Sequence, residues 1–297
     1  MCMFITSIDI RESLKGCLIA GAIGDAVGFK YECSENNQDI SFDFNWIISD
    51  DTQLTLATCE AIYDSVEIKP EKVAERFLYW YTHKRLVGLG SSTLKALREL
   101  QVGGHWALVG RTGEYAAGNG AAMRIAPLAF KKHITKLTIK DICTITHRND
   151  EAYSGALAIY YSIKAAIDGI WKGDYGLIDY IIEKIPDTRV RDRFIELIPL
   201  QSLSISEIGK LYKSSGYVVD SVPLALFAAQ KINELDYAMI LTELIKLGGD
   251  TDTVCSMFGQ IAGSLYGTKI IPDNLMYQFE KLEITDLISE IVNNWKE

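Results

Sequence analysis

Two short acidic clusters hold the residues best suited to chemistry in this chain: SDDTQ at 49–53 and GGDTDT at 248–253. Each places two carboxylates and at least one hydroxyl within a few consecutive positions, and each opens a long apolar stretch with helical spacing. An all-oxygen donor set of this kind suits hard divalent cations such as Mg²⁺ or Mn²⁺. The same residue types are also good helix N-caps, because a side-chain oxygen accepts from the orphan amides of a first turn. A cap needs one such oxygen, however, and adjacent like charges such as Asp50 and Asp51 repel unless something cationic lies near. Two clusters with the same surplus favour one shared metal site, which requires the first and last thirds of the chain to pack together.

Three further segments could position or assist such a site. In GAIGDAVGFKYE at 21–32 the glycines lack GxGxxG spacing and follow a helical pattern rather than a strand, so a dinucleotide loop is poorly supported. Small residues at Gly21, Gly24, Ala26 and Gly28 instead allow a close helix contact. Glu32 lies just past that helix, within reach of a cavity, and Asp25 inside it needs a partner if buried. GNGAAMRIAP at 118–127 reads as a loop entering a helix, with free amides for phosphate oxygens and glycines that permit a positive φ. Asn119 there suits a ligand hydroxyl or phosphate, and Arg124 suits either phosphate or a structural ion pair. His147 in THRND sits between two helical patterns, where contact with a ligand and a purely structural role are both open. None of the four histidines has a zinc-motif spacing, and no serine lies in GxSxG.

Apolar residues recur at three- and four-residue intervals through most of the 297 residues, and period-two alternation is nearly absent. The chain is therefore expected to be mostly or entirely helical, with helices that include 11–27, 51–66, 121–130, 150–168, 221–232 and 251–265. Only 101–120 is long, glycine-rich and irregular, and composition does not shift along the chain, so one domain over 1–297 is expected. A net charge of −9 disfavours a broad grip on nucleic acid or anionic membrane. Six cysteines without CxxC spacing read as reduced core thiols, and no signal or membrane span is evident, which places the protein in the cytoplasm.

Taken in order, GDAVGFKYE, SDDTQ, GNGAAMR, THRND and LGGDTDT resemble the ADP-ribosylglycohydrolase family, which includes dinitrogenase reductase activating glycohydrolase and ADP-ribosylarginine hydrolases. The resemblance spans residues 16 to about 267, with SGYVVDSVPLALFAA at 215–229 similar to the family's segment before the last metal motif. It implies a compact all-α orthogonal helical bundle with a binuclear centre of two Mg²⁺, or Mn²⁺, at the base of an ADP-ribose cleft. By motif, Ser49, Asp50 and Asp51 would bind one metal and Asp250 and Thr253 the other, with Asp252 bridging or shared. Ser49 stands where Thr is more usual and keeps the hydroxyl. Glu32 matches a glutamate that gates the centre or handles a proton, Gly118, Asn119 and Gly120 match the loop along ADP-ribose, and His147 matches a histidine near the ligand. The segment 33–48 is short and polar where relatives cover the metals.

The implied reaction is hydrolysis at ribose C1, through an oxocarbenium-like transition state, of ADP-ribose attached to a protein side chain, arginine being favoured over serine or O-acetyl linkages. Two cations would anchor ribose hydroxyls and activate water, and Glu32, Asp50, Asp51 or Asp250 would move the proton. The partner is then an ADP-ribosylated protein or an ADP-ribose derivative, and an ADP-ribosylating toxin is compatible with the same fold. Two rivals differ in class. A helical dinuclear phosphohydrolase would recruit histidines beside its aspartates, and the chain has no HD pair. A non-enzymatic antidote that covers a toxin surface has no need for so many clustered oxygen ligands.

Overall fold

The computed structural model describes residues 9–32 and 39–297. The expected Cys2 and Cys33 thiols and part of the 33–48 segment lie outside the described residues. The first third contains α1 (Ile10–Phe29), α2 (Asp50–Ile62), α3 (Pro70–Thr82), α4 (Ser91–Gln101) and the short α5 (Trp106–Val109). The middle contains α6 (Lys136–Thr144), α7 (Asp150–Ile167), α8 (Leu177–Ile182), α9 (Arg189–Leu197) and α10 (Ile205–Leu211). The last third contains α11 (Val218–Ala229), α12 (Tyr237–Lys246), α13 (Thr251–Tyr266), α14 (Asp273–Phe279) and α15 (Thr285–Asn294). Two strands of two residues each, β1 (Arg111–Thr112) and β2 (His147–Arg148), pair in parallel and are the only extended ladder among the described residues. Among those residues no helix is long and apolar enough to cross a membrane.

The packing that matters for function is an antiparallel contact of α1 with α13. The two helices meet backbone to backbone: a Cβ added at Gly24 would collide with the Cys255 carbonyl, and one at Gly28 would lie 2.5 Å from the Thr251 oxygen and 2.6 Å from the Asp252 Cα. Gly16 faces Gly263 in the same way further along. Thr251 Oγ1 donates to the Gly28 carbonyl at 2.8 Å, which fixes the start of α13 against the end of α1. The small residues of α1 thus bring the second acidic cluster to the helix that Glu32 follows.

Where α1 meets α2, fully buried Asp25 replaces water for the orphan amides of the first turn. Its carboxylate accepts from Ser49 N at 3.0 and 3.1 Å and from Thr52 N at 3.0 Å. One end of α1 therefore anchors both acidic clusters, Asp25 holding α2 and Gly28 admitting α13.

One expected helix does not form. Residues 121–125 are a turn, followed by a 3₁₀ segment over Ala126–Phe130. The cause is Pro127, which has no N–H for the Met123 carbonyl. That carbonyl accepts instead from Thr55 Oγ1 at 3.2 Å and Gln260 Nε2 at 2.7 Å, which tie the turn to α2 and α13. The described cysteines, Cys17, Cys59, Cys143 and Cys255, are free and buried. Burial pushes the Cys17 and Cys143 thiols up to about 12, so neither is a nucleophile at neutral pH.

Candidate active site

The two acidic clusters meet directly. Asp51 Oδ2 accepts from Ser49 Oγ at 3.1 Å and from Thr253 Oγ1, two hundred and two positions away in sequence, also at 3.1 Å. Ser49 also accepts from Asp51 N at 3.3 Å, so its hydroxyl does cap α2. The carboxylates beside it do not cap their helices: Asp250 precedes α13 and makes no side-chain cap bond. Its Oδ2 instead accepts from Asn119 Nδ2 at 2.5 Å.

Asp50, Asp51 and Asp252 are buried, Asp250 is half-buried and Glu32 is exposed at the rim. Among the described residues none of the four aspartates has a lysine or arginine ion-pair partner. Burial, then repulsion from Asp250, Asp25 and Glu32, pushes the Asp252 carboxyl up to about 9. Burial likewise raises Asp51 well above its ordinary range, with Asp252, Asp25, Asp50 and Asp250 adding to it. Asp50 is also raised well, by burial and then Asp25, and Glu32 is raised by burial, Asp250 and Asp25.

This donor set fits a divalent cation. One ligand oxygen each from Glu32, Asp250 and Asp252 lies within 4.8 Å of the others. The Asp51 Oδ1 atom is buried with no hydrogen-bond partner, a costly condition that cation coordination would relieve. Every donor is oxygen, as Mg²⁺ and Mn²⁺ prefer.

A cleft of 670 Å³ opens over these carboxylates and is also lined by Gly118, Asn119, Gly120 and His147. The loop is pinned to the segment before α11, with Asn119 N donating to Gly216 O at 3.1 Å and Val218 N to Ala117 O at 3.0 Å. Asn119 Nδ2 also donates to Ser221 Oγ at 3.1 Å. Neither Gly118 nor Gly120 has a positive φ, contrary to expectation. They are small because His147 lies against them: an added Cβ would stand 2.9 Å from His147 Nε2 at Gly118 and 2.9 Å from Cε1 at Gly120. Since no helix starts here, no helix dipole acts on the ligand. The loop offers backbone groups and Asn119 alone.

His147 is held neutral. Fully buried Arg124 donates through Nη1 to the Gly120 carbonyl and through Nη2 to Thr146 Oγ1 at 2.6 Å. The Thr146 hydroxyl and His147 Nδ1 share a hydrogen bond of 2.7 Å. His147 Nε2 lies against the glycine loop, 2.9 Å from where a Cβ at Gly118 would stand. Burial, with Arg124 and Arg111 nearby, pushes His147 down to about 3. Arg124 is accordingly structural, tying the glycine loop to Thr146.

Comparison with known proteins settles the family. The family model described as ADP-ribosylglycohydrolase matches residues 6–297. The chain belongs to the ADP-ribosylglycohydrolase family. It is a glycohydrolase with the all-α fold of that family. It is 28% identical to ADP-ribosylarginine hydrolase Tri1 of Pseudomonas putida (strain GB-1), over 90% of this chain and 74% of that protein. It is 24% identical to ADP-ribosylhydrolase ARH3 of Danio rerio, over 95% of this chain and 90% of that protein. A solved structure titled ADP-ribosylglycohydrolase-related protein complex superposes with a TM-score of 0.76 at 22% identity, covering 96% of this chain and 97% of that one.

Sequence reading of this glycohydrolase missed two cleft residues, Tyr115 and Tyr217. Tyr115 is 82% exposed. It follows the irregular 101–114 stretch, where no periodicity marks one face, and Tyr217 is placed by the Gly118 to Tyr217 bridge and by donating its hydroxyl to Glu151 Oε2 at 2.9 Å, contacts far apart in sequence.

Proposed function

We propose that this glycohydrolase is metal-dependent and releases ADP-ribose from modified arginine side chains. The observation that carries the reading is the hydrogen bond from Thr253 to Asp51, which makes one oxygen-rich centre of two distant clusters at the wall of a nucleotide-sized cleft. Asp50, Asp51, Asp250, Asp252 and Thr253 would hold two divalent cations, with Ser49 hydrogen-bonded to Asp51 at their edge. When bound, these supply Lewis acidity to the ribose hydroxyls and to the attacking water.

The chain's own groups divide the remaining work. Glu32, exposed at the rim and raised in pKa, would take and return a proton at the scissile bond. Asn119 and the loop backbone would orient the diphosphate, and His147 would lie beside it without bringing a charge. Tyr115 and Tyr217 offer faces for an adenine ring. The arginine linkage is supported by the name of the Pseudomonas relative.

Incubating the protein with arginine-modified and with serine-modified proteins in Mg²⁺ tests the assignment. Release of ADP-ribose from the arginine-linked substrate at least tenfold faster is expected. Preferential release from the serine-linked substrate would overturn the linkage, and release from neither would overturn the hydrolytic reading.

A further inference from the structure

Beside the cleft lies a second recess of 540 Å³, lined by Ser91, Lys95, Leu108, Arg111 and Arg148 among others. Three cations here stand out in a chain of net charge −9. Lys95 is paired with Glu99 at 2.8 Å. Among the described residues neither arginine forms an ion pair: Arg111 Nη1 donates to Ser91 Oγ at 2.9 Å and Arg148 Nη1 to the Leu108 carbonyl at 3.3 Å. Arg148 is also positioned by its stem, since a Cβ at Gly110 would stand 2.9 Å from the Arg148 Cγ.

The recess and the cleft share their wall. Ser91 lines both. Gly88, three residues earlier, would carry a Cβ 3.4 Å from Asp50 Oδ1. On the other side Arg111 pairs in register with His147, which lines the cleft. The cleft alone has the size ordinary for a nucleotide-sized ligand. The recess is therefore left for what that ligand is attached to, and guanidinium groups select carboxylates through paired hydrogen bonds.

We infer that this recess receives aspartate or glutamate side chains flanking the modified residue of an ADP-ribosylated protein, so that the enzyme selects modified sites with acidic neighbours. Leu108, 66% exposed beside the arginines, adds an apolar flank for the same peptide segment. The inference rests on the hydrolase reading above, and the test separates the two.

ADP-ribosylated peptides are prepared in pairs, one with Asp and Glu around the modified residue and one with Asn and Gln, each pair in arginine-linked and serine-linked form. For whichever linkage is cleaved, the acidic member should show about five- to tenfold higher kcat/KM at low salt, mainly through KM. The preference should shrink as salt is raised. Arg148→Glu should abolish or invert it, and Arg148→Gln, which removes charge without adding any, should reduce it.

Equal rates for the two members in the parent protein would overturn the inference, as would a preference that survives Arg148→Glu. A fall in free ADP-ribose affinity in Arg148→Glu as large as the fall in peptide kcat/KM would also overturn it, by placing an anion of the ligand itself in the recess. Cleavage of neither linkage would bring down the hydrolase reading and this inference with it.

Discussion

Asp252 and His147 show how differently two buried titratable groups can serve one cleft. Asp252 lies among carboxylates without a protein cation to balance them, whereas His147 is kept neutral by burial beside Arg124 and Arg111. With its carboxyl pushed up to about 9, metal-free Asp252 must take up a proton to fold at neutral pH; Asp252→Asn removes that cost, so the melting temperature without metal should not fall, while the Mg²⁺-dependent rise should disappear. In the parent that rise corresponds to about 2.7 kcal/mol at a cation concentration one hundred times Kd. Melting curves with and without Mg²⁺ check this, and an unchanged rise in the variant would count against Asp252 as a ligand. His147 makes a separate, pH-linked prediction. Its folded pKa, about 3, lies below the ordinary 6.5, so the unfolded chain binds the proton first and stability is lost as pH falls from 6.5 toward 3. Between pH 6.5 and 5 this amounts to about 2 kcal/mol. Urea melts at those two pH values should show that His147→Gln, which cannot take the proton, loses about that much less stability than the parent.

Among the elements, α1 does most to build the site, because Asp25 and Gly28 sit one helical turn apart and reach α2 and α13 respectively. Gly28→Ala should push the start of α13 away from α1, costing about 1–3 kcal/mol of stability as overpacking does. It should also weaken Mg²⁺ binding in the protein that remains folded, since the displaced backbone is that of Thr251 and Asp252. Calorimetric titration below the variant's melting temperature measures this, and parental affinity would show that the ligand turn tolerates the shift. The close contact was legible from the small residues of α1, and so was the need of Asp25 for a partner. The fate of 121–125 was not read, although Pro127 was visible, because the apolar run there has helical spacing and the acceptors of the Met123 carbonyl come from α2 and α13. Likewise β1 and β2 are each two residues long, too short to show any alternation.

For the molecule as a whole, the decisive relation is the meeting of SDDTQ and GGDTDT across most of the chain's length. Sequence composition gave a reason to expect it, an excess of carboxylates over what capping requires, and the Thr253 to Asp51 bond is where it happens. The cleft's tyrosines and the basic recess were not legible, because they are assembled from loops and helix ends that no periodic pattern joins. The central claim is that the joined clusters hold divalent cations needed for release of ADP-ribose. Its most direct test is the rate of ADP-ribose release from an ADP-ribosylarginine protein by enzyme stripped exhaustively with EDTA, before and after Mg²⁺ is restored. Release should fall to background on stripping and return in proportion to bound Mg²⁺. Full release by the stripped enzyme would contradict the account.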